Sequence, residues 1–414
     1  MNVVNKIGSA RTDTTSCTPI FYKLSDENSK RQFLDFLSKE QNVIIIDDIT
    51  SQLKELIKSL FPSRKIKEEE YPDLIEKHLA GKPLDEYGVW VYYPWSNKLV
   101  HLLDEDEFVE VRTNRNRYKI TPAEQEILKN KKVGIIGLSV GQSIALTLAM
   151  ERTCGELRLA DFDTAELSNL NRIRTGVQNL GLKKTVIAAR EIAEIDPFLK
   201  VKIYSEGINT GNIDEFFTKD GKIDLLVEVC DGLDIKIVSR FKARELGIPV
   251  VMDTNDRGML DIERFDLQPD REILHGLVGK IDTHKLSNLS GEEKIALVLN
   301  IAGRDTISVR GRASMVEVEQ SINTWPQLAS SVVLGGAVTT DVCRRIFLNQ
   351  LTASGRYYID LDEIISQNDD TLSTEPYDNP YQPLDKKAIE EIIRNAPRVN
   401  AYQLTEEELE KILQ

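Results

Sequence analysis

Cysteine and histidine are scarce in this sequence, and neither residue type occurs in groups. The four cysteines stand singly at Cys17, Cys154, Cys230 and Cys343. The four histidines are equally scattered, at His78, His101, His275 and His284. Such spacing fits neither a disulfide framework nor the paired cysteines of a zinc knuckle. We therefore expect no structural zinc and no disulfide scaffold.

Long apolar runs are also absent, and the charge balance is acidic. No apolar run reaches the length of a membrane span, and the first residues, MNVVNKIGSARTDTTS, lack the charged-then-apolar order of a signal peptide. The net charge of −14 disfavours nucleic acid as a bulk electrostatic partner. We expect a cytoplasmic protein without a membrane or nucleic-acid partner.

The length and the composition predict two or three domains. The chain has 414 residues, of which 41% are hydrophobic, enough for several substantial cores. Residues 1–110 predict a small α/β accessory domain, in which VIIIDD is a short buried strand. Its aromatic segment YGVWVYYPW is either a binding surface or ordinary core packing. Residues 111–350 alternate strands and helices, and residues 351–414 combine a Pro/Asn/Asp-rich linker with C-terminal helices.

The segment from Lys132 to Arg190 organises the second domain. An apolar strand runs into the turn Gly-Leu-Ser-Val-Gly, and a helix follows, as in the first βα turn of a nucleotide-binding sheet. The fingerprint G-x-G-x-x-G is imperfect, because its three positions hold Gly137, Ser139 and Gln142, with a displaced Gly141. Small residues there allow phosphate oxygens to approach the backbone at the helix N-terminus.

Polar residues after the second strand extend this pattern. Asp161 ends the strand ELRLAD, where a carboxylate can accept hydrogen bonds from a ribose. Asp161 is equally compatible with an NAD-dependent dehydrogenase. Arg172 and Lys184 follow, and two cations that converge on one crevice suit a triphosphate better than a pyrophosphate diester.

The remaining strands complete the predicted fold. KVKIYSEGI, KIDLLVEVCD and IPVVMDT alternate with helices, and RGMLDIERFDLQPDREILHG predicts an antiparallel extension. The fold class is therefore α/β, with a doubly wound, mostly parallel, Rossmann-like sheet. Gly137, Asp161, Asp231 and Asp253 fall at the carboxyl ends of strands, where such sheets bind ligands.

An ordered set of motifs carries a family resemblance over about residues 110–350. DFDTAELSNLNR is followed by Lys184, then AEIDP, then VEVCDG. This set resembles the ThiF/MoeB/ubiquitin-activating-enzyme-like adenylyltransferase family. RNRYKITPAEQ and VVMDTNDRGMLDIERFDL also resemble a molybdopterin-biosynthesis-like bacterial branch of it. The resemblance implies an enzyme that uses ATP and Mg to activate a carboxylate as an acyl adenylate.

The resemblance also implies roles for individual residues. Arg172 and Lys184 would hold the triphosphate, Asp161 the ribose, and Asp231 would lie near Mg and the reacting phosphate. Asp163 and Asn169 would orient the loop and its arginine. Relatives also reach the phosphates with an arginine of a partner subunit, here Arg117 or Arg115. Each residue has an ordinary alternative: Asp161 as a turn cap, Arg172 paired with Asp163, Lys184 as a solvated lysine, the arginines as a solvated basic run.

The implied partners are proteins or peptides. The substrate would be a ubiquitin-like or sulfur-carrier protein, or a peptide, with a free C-terminal carboxylate, and the enzyme would be a homodimer. No cysteine lies between Asp253 and Asn323, where relatives carry their acyl-accepting thiol. The negative charge of Asp231, next to Cys230, would raise the pKa of that thiol. We therefore expect an external acyl acceptor. Two other functions stay open: a non-catalytic nucleotide-binding scaffold and an NAD-dependent oxidoreductase.

Overall fold

The computed structural model describes residues 13–40, 42–279, 291–303, 306–318 and 320–365. Two sheets organise these residues, a four-stranded N-terminal sheet and a seven-stranded main sheet. Most of the predicted C-terminal linker and helices, residues 366–414, lies outside the described ranges. Within those ranges, no helix combines the length and the apolar character needed to cross a membrane.

The N-terminal sheet confirms the small α/β unit. Its strands are β1 (Ile20–Tyr22), β2 (Ile44–Asp47), β3 (Val89–Tyr93) and β4 (Lys98–Leu102), in the order β1-β3-β4-β2. β2 pairs with β4 in parallel, and the other pairs are antiparallel. Its helices are α1 (Glu27–Lys39), α2 (Ile49–Leu60) and α3 (Tyr71–Leu79). Helix α2 buries one apolar face at helical spacing, formed by Ile49, Leu53, Leu56 and Ile57.

The VIIIDD stretch forms β2, but the prediction that it is buried is wrong. β2 is the last strand in the sheet order, and Ile44, Ile45 and Ile46 are 54%, 57% and 41% exposed. An apolar run indicates that burial would be favourable, whereas the order of the strands decides which of them has neighbours on both sides. The sequence carried no signal for that order.

The aromatic segment YGVWVYYPW serves core and interface packing. Trp90 in β3 is buried and stacks on His101, with ring centroids 4.2 Å apart. Tyr93 donates a hydrogen bond of 3.3 Å to the carbonyl of Ala193, and Trp95 donates one of 2.6 Å to Glu194. This segment therefore attaches the N-terminal sheet to the main domain.

Two helices connect the sheets. Helix α4 (Glu105–Thr113) runs through residue 110, so the predicted domain boundary falls inside a helix. Helix α5 (Pro122–Leu128) begins with a capping box, in which Thr121 and Glu124 satisfy each other's backbone N–H groups. Proline at the first helical position has no N–H to leave unpaired.

The main sheet is doubly wound and mostly parallel, as predicted. Its strands are β5 (Lys132–Ile136), β6 (Glu156–Ala160), β7 (Lys200–Tyr204), β8 (Leu225–Glu228), β9 (Val250–Thr254), β10 (Met259–Glu263) and β11 (Gly355–Tyr358). Their order is β11-β10-β9-β8-β5-β6-β7. β5 to β9 pair in parallel, and β10 and β11 form the antiparallel extension. Because β11 belongs to this sheet, the main domain continues beyond residue 350.

The described helices of the main domain are α6 (Gly141–Glu151), α7 (Lys184–Ile195), α8 (Ile213–Thr218), α9 (Leu233–Glu245), α10 (Gly291–Ala302), α11 (Val309–Glu317), α12 (Ala329–Phe347) and α13 (Leu361–Ile364). Several of them pack on the main sheet. Residues of α6, α7 and α12 share one hydrophobic core, and residues of α8 and α9 share another. The strand order reverses between β5 and β8, and open sheets of this kind bind ligands in the crevice at that point.

Candidate active site

The glycine turn lies at the reversal point, directly after β5. Gly137 has φ +92°, a conformation that residues with a side chain rarely adopt. A Cβ on Gly137 would also lie 2.8 Å from the backbone nitrogen of Cys230, which follows β8. The turn can therefore pass close to the end of β8 only because glycine stands at this position.

Gly141 starts helix α6 and allows it to pack closely on the sheet. A Cβ there would lie 2.8 Å from Cγ2 of Ile135 and 3.2 Å from Cγ2 of Val229. The displaced glycine thus supports helix–strand packing. The N-terminus of α6 faces the crevice, where the helix dipole favours an anion.

Asp161 joins the glycine turn to the end of β6. Its Oδ2 accepts a hydrogen bond of 2.7 Å from the N–H of Leu138, and its Oδ1 accepts one of 2.8 Å from the N–H of Asp163. Burial raises the pKa of the Asp161 carboxyl, and the charge of Lys184 opposes that shift. The carboxylate is therefore held at the edge of the crevice by two backbone donors.

Lys184 is buried at the start of α7 and is bound by Asp163. Its Nζ lies 2.7 Å from Oδ2 of Asp163, and its backbone N–H donates to the Asp163 carbonyl over 3.0 Å. Only 7% of Lys184 is exposed, so it is not the solvated lysine of the ordinary alternative. Asp163 is paired with Lys184, and Arg172 has other partners.

Arg172 lies against the glycine turn. Its Nε donates a hydrogen bond of 2.9 Å to Oγ of Ser139. Burial lowers the pKa of the Arg172 guanidinium, and the negative charge of Asp231 opposes this shift. The crevice therefore brings together the turn after β5, the arginine after β6 and the aspartate after β8.

Asn169 shapes the segment that carries Arg172. Its Oδ1 accepts a hydrogen bond of 3.1 Å from the N–H of Glu166, and its carbonyl accepts one of 3.0 Å from the N–H of Arg172. Asn169 is 8% exposed. Asn169 therefore fixes the backbone that leads to Arg172, and its role at a bound nucleotide stays a prediction.

Glu228 fixes the turn that presents Asp231. Its Oε1 accepts a hydrogen bond of 2.9 Å from the N–H of Cys230. Burial alone would raise the pKa of Glu228, but Lys236 and Arg240 outweigh it and lower the pKa to about 2. Glu228 is therefore a fixed anion beneath the exposed Asp231.

Arg117 lies away from this crevice within the chain. It pairs with Glu110, and the neighbouring Asn116 donates a hydrogen bond of 3.2 Å to the carbonyl of Glu151 at the C-terminal end of α6. The glycine turn is at the opposite end of α6, and a helix of this length spans about 16 Å. The structure of one chain therefore does not bring Arg117 or Arg115 to the other predicted site residues, and a role in trans stays a prediction.

The cysteines near the sheet are poor nucleophiles. Burial raises the pKa of the Cys154 thiol to about 12, and it also raises the pKa values of Cys230 and Cys343. For Cys230 the second cause is the charge of Glu228, not that of Asp231 as the sequence suggested. These thiols are therefore protonated near neutral pH.

Two glutamines at the crevice were assigned no role from the sequence. Gln327 lies over the glycine turn, where its side chain accepts from Oγ of Ser139 at 3.4 Å and its carbonyl accepts from Asn171 at 2.8 Å. Gln142 is buried at the start of α6. The departure of Gln142 from the glycine fingerprint was the available signal, but the sequence did not say what the larger side chain would contact.

The sheet order, the glycine turn at the reversal point and the helix that starts there define a Rossmann-like domain. Residues 113–310 match the family model described as the ThiF family. The chain therefore carries a ThiF-family domain.

Relatives in sequence cover different shares of the chain. An uncharacterized protein of Mycobacterium tuberculosis (strain CDC 1551 / Oshkosh), MT1398, is 42% identical over 352 residues, which are 85% of this chain and 47% of that protein. Ubiquitin-like modifier-activating enzyme 5 of Caenorhabditis elegans is 25% identical over 130 residues, 30% of this chain and 31% of the enzyme. The chain thus spans half or less of the length of these relatives.

Solved structures show a weaker likeness. E. coli tRNA N6-threonylcarbamoyladenosine dehydratase, TcdA, in complex with ATP has a TM-score of 0.42 at 15% identity and covers 60% of this chain and 98% of its own. E. coli MccB with MccA-N7isoASN has a TM-score of 0.40 at 15% identity and covers 75% and 88%. At this level the likeness supports no further assignment.

Proposed function

We propose that the ThiF-family domain binds ATP at the reversal point of the main sheet and transfers AMP to a carboxylate. The observation that carries the proposal is the location of Arg172, which is hydrogen bonded to Ser139 in the glycine turn and interacts electrostatically with Asp231. A guanidinium between the ends of β5 and β8 suits forked contacts to phosphate oxygens.

The neighbouring residues suit the other parts of the nucleotide. Each carboxylate oxygen of Asp161 accepts one backbone hydrogen bond and keeps capacity for a ribose hydroxyl. Phe162, next along the chain, is 69% exposed and offers a face for the base. Lys184 can exchange its bond to Asp163 for a phosphate oxygen. Gly137 to Gly141 leave room for phosphates beside the start of α6.

The proposed reaction needs cations more than it needs a base. A carboxylate oxygen attacks the α-phosphorus, an O–P bond forms, and the bond from the α-phosphorus to the bridging oxygen breaks. Pyrophosphate leaves with the electron pair, and the products are the acyl adenylate and pyrophosphate. Two anions must approach each other, so Arg172 and Lys184 act by neutralising charge on the triphosphate.

Asp231 is the residue that fits a magnesium ion. It is exposed at the mouth of the crevice, while Glu228 below it is fully engaged by Lys236 and Arg240. Mg²⁺ in nucleotide sites often takes one or two protein carboxylates and completes its shell with waters and phosphates. When bound, the ion would neutralise charge on the leaving pyrophosphate.

The carboxylate donor and the oligomeric state form the finer part of the proposal. We assign the donor to the C-terminus of a ubiquitin-like or sulfur-carrier protein or of a peptide, following the family resemblance. The distance between Arg117 and the crevice within one chain supports a homodimer in which Arg117 acts on the partner's nucleotide. The raised pKa values of the Cys154, Cys230 and Cys343 thiols support transfer to an external acceptor.

Exchange of labelled pyrophosphate into ATP tests the reaction. The whole chain is incubated with Mg–ATP and pools of peptides and small proteins that carry free C-termini. Adenylation predicts exchange that requires such a carboxylate. ATP binding without exchange would favour the nucleotide-binding scaffold, and tighter binding of NAD than of ATP would favour the oxidoreductase.

Two site variants and one control variant test whether the exchange reaction takes place at this site. Arg172→Ala and Lys184→Ala should abolish most of it, by on the order of a hundredfold or more. Lys200→Ala removes an exposed cation at the amino end of β7, on the opposite edge of the sheet, and should leave the exchange unchanged. Equal losses in all three variants would contradict the proposed site.

A further inference from the structure

Gln142 occupies the position where the dinucleotide fingerprint has its last glycine, and its side chain is almost fully buried. It is 2% exposed in the first turn of α6. Glycine at this position allows close packing of helix and strand. A buried carboxamide there costs free energy unless its donors and acceptor are all paired. The hydrogen bonds of Gln142 therefore indicate why the larger residue is accommodated.

The carboxamide of Gln142 binds one residue of the arginine segment from both sides. Its Oε1 accepts a hydrogen bond of 3.0 Å from the N–H of Arg174, and its Nε2 donates one of 3.1 Å to the carbonyl of Arg174. Arg174 lies two residues after Arg172, and the residue between them, Ile173, is buried. These two hydrogen bonds fix the position of the arginine segment's backbone relative to the glycine turn.

Glu191 in α7 fixes the orientation of that carboxamide. The second N–H of Gln142 donates a hydrogen bond of 2.6 Å to Oε2 of Glu191. Thr175 also hydrogen bonds to this carboxyl group, and the charged groups that act on it are Glu194 in α7 and Arg174 in the segment. Because both donors of the amide are engaged, a flipped amide would lose all three bonds.

We propose that Gln142 is a positioning residue, which holds the segment so that the Arg172 guanidinium reaches the phosphates of a bound nucleotide. This inference rests on the proposed function. Ser139 and Gln142 belong to the same turn and helix start, so one rigid element holds both the side chain of Arg172 and the backbone of Arg174, two residues further along. Displacing a catalytic group by about 1 Å can cost on the order of a hundredfold in rate.

A double-mutant cycle with Arg172 tests this role. Gln142→Leu keeps the size and removes the three hydrogen bonds. We expect a loss of about tenfold to a hundredfold in kcat/KM for pyrophosphate exchange. In the Arg172→Ala background the same substitution should cost less than about twofold, because the group that it positions is already absent. Equal losses in both backgrounds would overturn the proposal.

A second variant keeps the test independent of the stability of Gln142→Leu. Gln142→Glu keeps an oxygen that accepts from the N–H of Arg174. When ionised, it has no N–H to donate to the Arg174 carbonyl or to Glu191, and its charge repels an ionised Glu191. Burial raises the pKa of Glu191 to about 7, so the wild type should gain activity as the pH rises through 7 and Glu191 becomes a pure acceptor. Gln142→Glu should instead lose activity over the same range. Parallel pH profiles would contradict the positioning role.

Amide hydrogen exchange separates failure of this inference from failure of the proposed function. In the wild type the N–H of Arg174 should be protected, and in Gln142→Leu it should exchange faster, while the N–H of Arg172, bound to Asn169, changes less. Unchanged protection of Arg174 would overturn the inference whatever the activity. If protection changes as expected but the wild type shows no pyrophosphate exchange, the proposed function is wrong. The hydrogen bonds between Gln142 and Arg174 are then still supported.

Discussion

The Nε of Arg172 lies 2.9 Å from Oγ of Ser139, although 33 residues separate them in the sequence. This hydrogen bond joins the segment after the second strand of the main sheet to the turn after its first strand. It gives a role to the serine in the middle of the glycine fingerprint. The Ser139 hydroxyl accepts a hydrogen bond from the guanidinium that is proposed to face the phosphates.

The shape of the cation at position 172, and not only its charge, should affect the rate of pyrophosphate exchange. Arg172→Ala is expected to lower kcat/KM for pyrophosphate exchange on the order of a hundredfold or more. Arg172→Lys should recover only part of the loss, because an ammonium group lacks the planar fork of the guanidinium. Steady-state exchange kinetics on the three proteins check this, and full activity in Arg172→Lys would refute forked recognition.

Alanine substitutions at Gly137 and Gly181 test whether the turn after β5 requires glycine. Both have positive φ, +92° and +84°, but a Cβ on Gly181 would have no atom within 4 Å, whereas one on Gly137 would press on backbone atoms of Val229 and Cys230. Gly181→Ala should lower the free energy of unfolding by about 1–2 kcal/mol. Gly137→Ala should lower it further by roughly 1–3 kcal/mol, because a backbone contact cannot rotate away. Urea denaturation measures both, and equal losses would show that the contact is unimportant.

Asp253, at the end of β9, should make the stability depend on pH. It is 5% exposed, and its Oδ2 has no hydrogen-bond partner in the described part of the chain. Burial raises its pKa from 3.8 to about 8. Between these values the folded state holds a proton that the unfolded state releases, so the free energy of unfolding falls with rising pH, by up to about 1.4 kcal/mol per pH unit.

The variant Asp253→Asn isolates this effect. The amide stays neutral at every pH, so the variant should lose the downward slope between about pH 4 and pH 8 and become the more stable protein near neutral pH. Urea denaturation of both proteins across this range provides the measurement. Parallel stability curves would mean that Asp253 is ionised in the folded protein.

Mixed dimers test whether Arg117 acts in trans. Arg117→Ala and Lys184→Ala should each be inactive alone. After subunit exchange, a dimer with one copy of each would contain one intact site, so an equal mixture should recover about a quarter of the wild-type activity. No recovery, in a sample shown to contain mixed dimers, would place Arg117 outside the site.

The sequence predicted the parts of the fold that depend on local patterns. Val133 to Gly137, the helix after Gly141 and the carboxylate of Asp161 follow a strand–turn–helix–strand pattern whose period and glycines are local. The predicted crevice also follows, because the carboxyl ends of parallel strands share one edge.

The sequence did not predict what depends on packing between distant segments. The three isoleucines of VIIIDD lie on an edge strand, a property of the sheet order. Gln142 was recognisable only as a departure from a motif, since its partners Arg174 and Glu191 come from elements 32 and 49 residues away. The raised pKa of Cys230 was expected, but its causes, burial and Glu228, required the structure.

Equilibrium binding of nucleotides tests the central claim most directly. Calorimetric titration of the whole chain with Mg–ATP, AMP and NAD should give the tightest binding for Mg–ATP. Arg172→Ala should weaken the binding of Mg–ATP much more than that of AMP, because the guanidinium is proposed to contact phosphates that AMP lacks. Equal weakening of both ligands, or tighter binding of NAD than of Mg–ATP, would contradict the account.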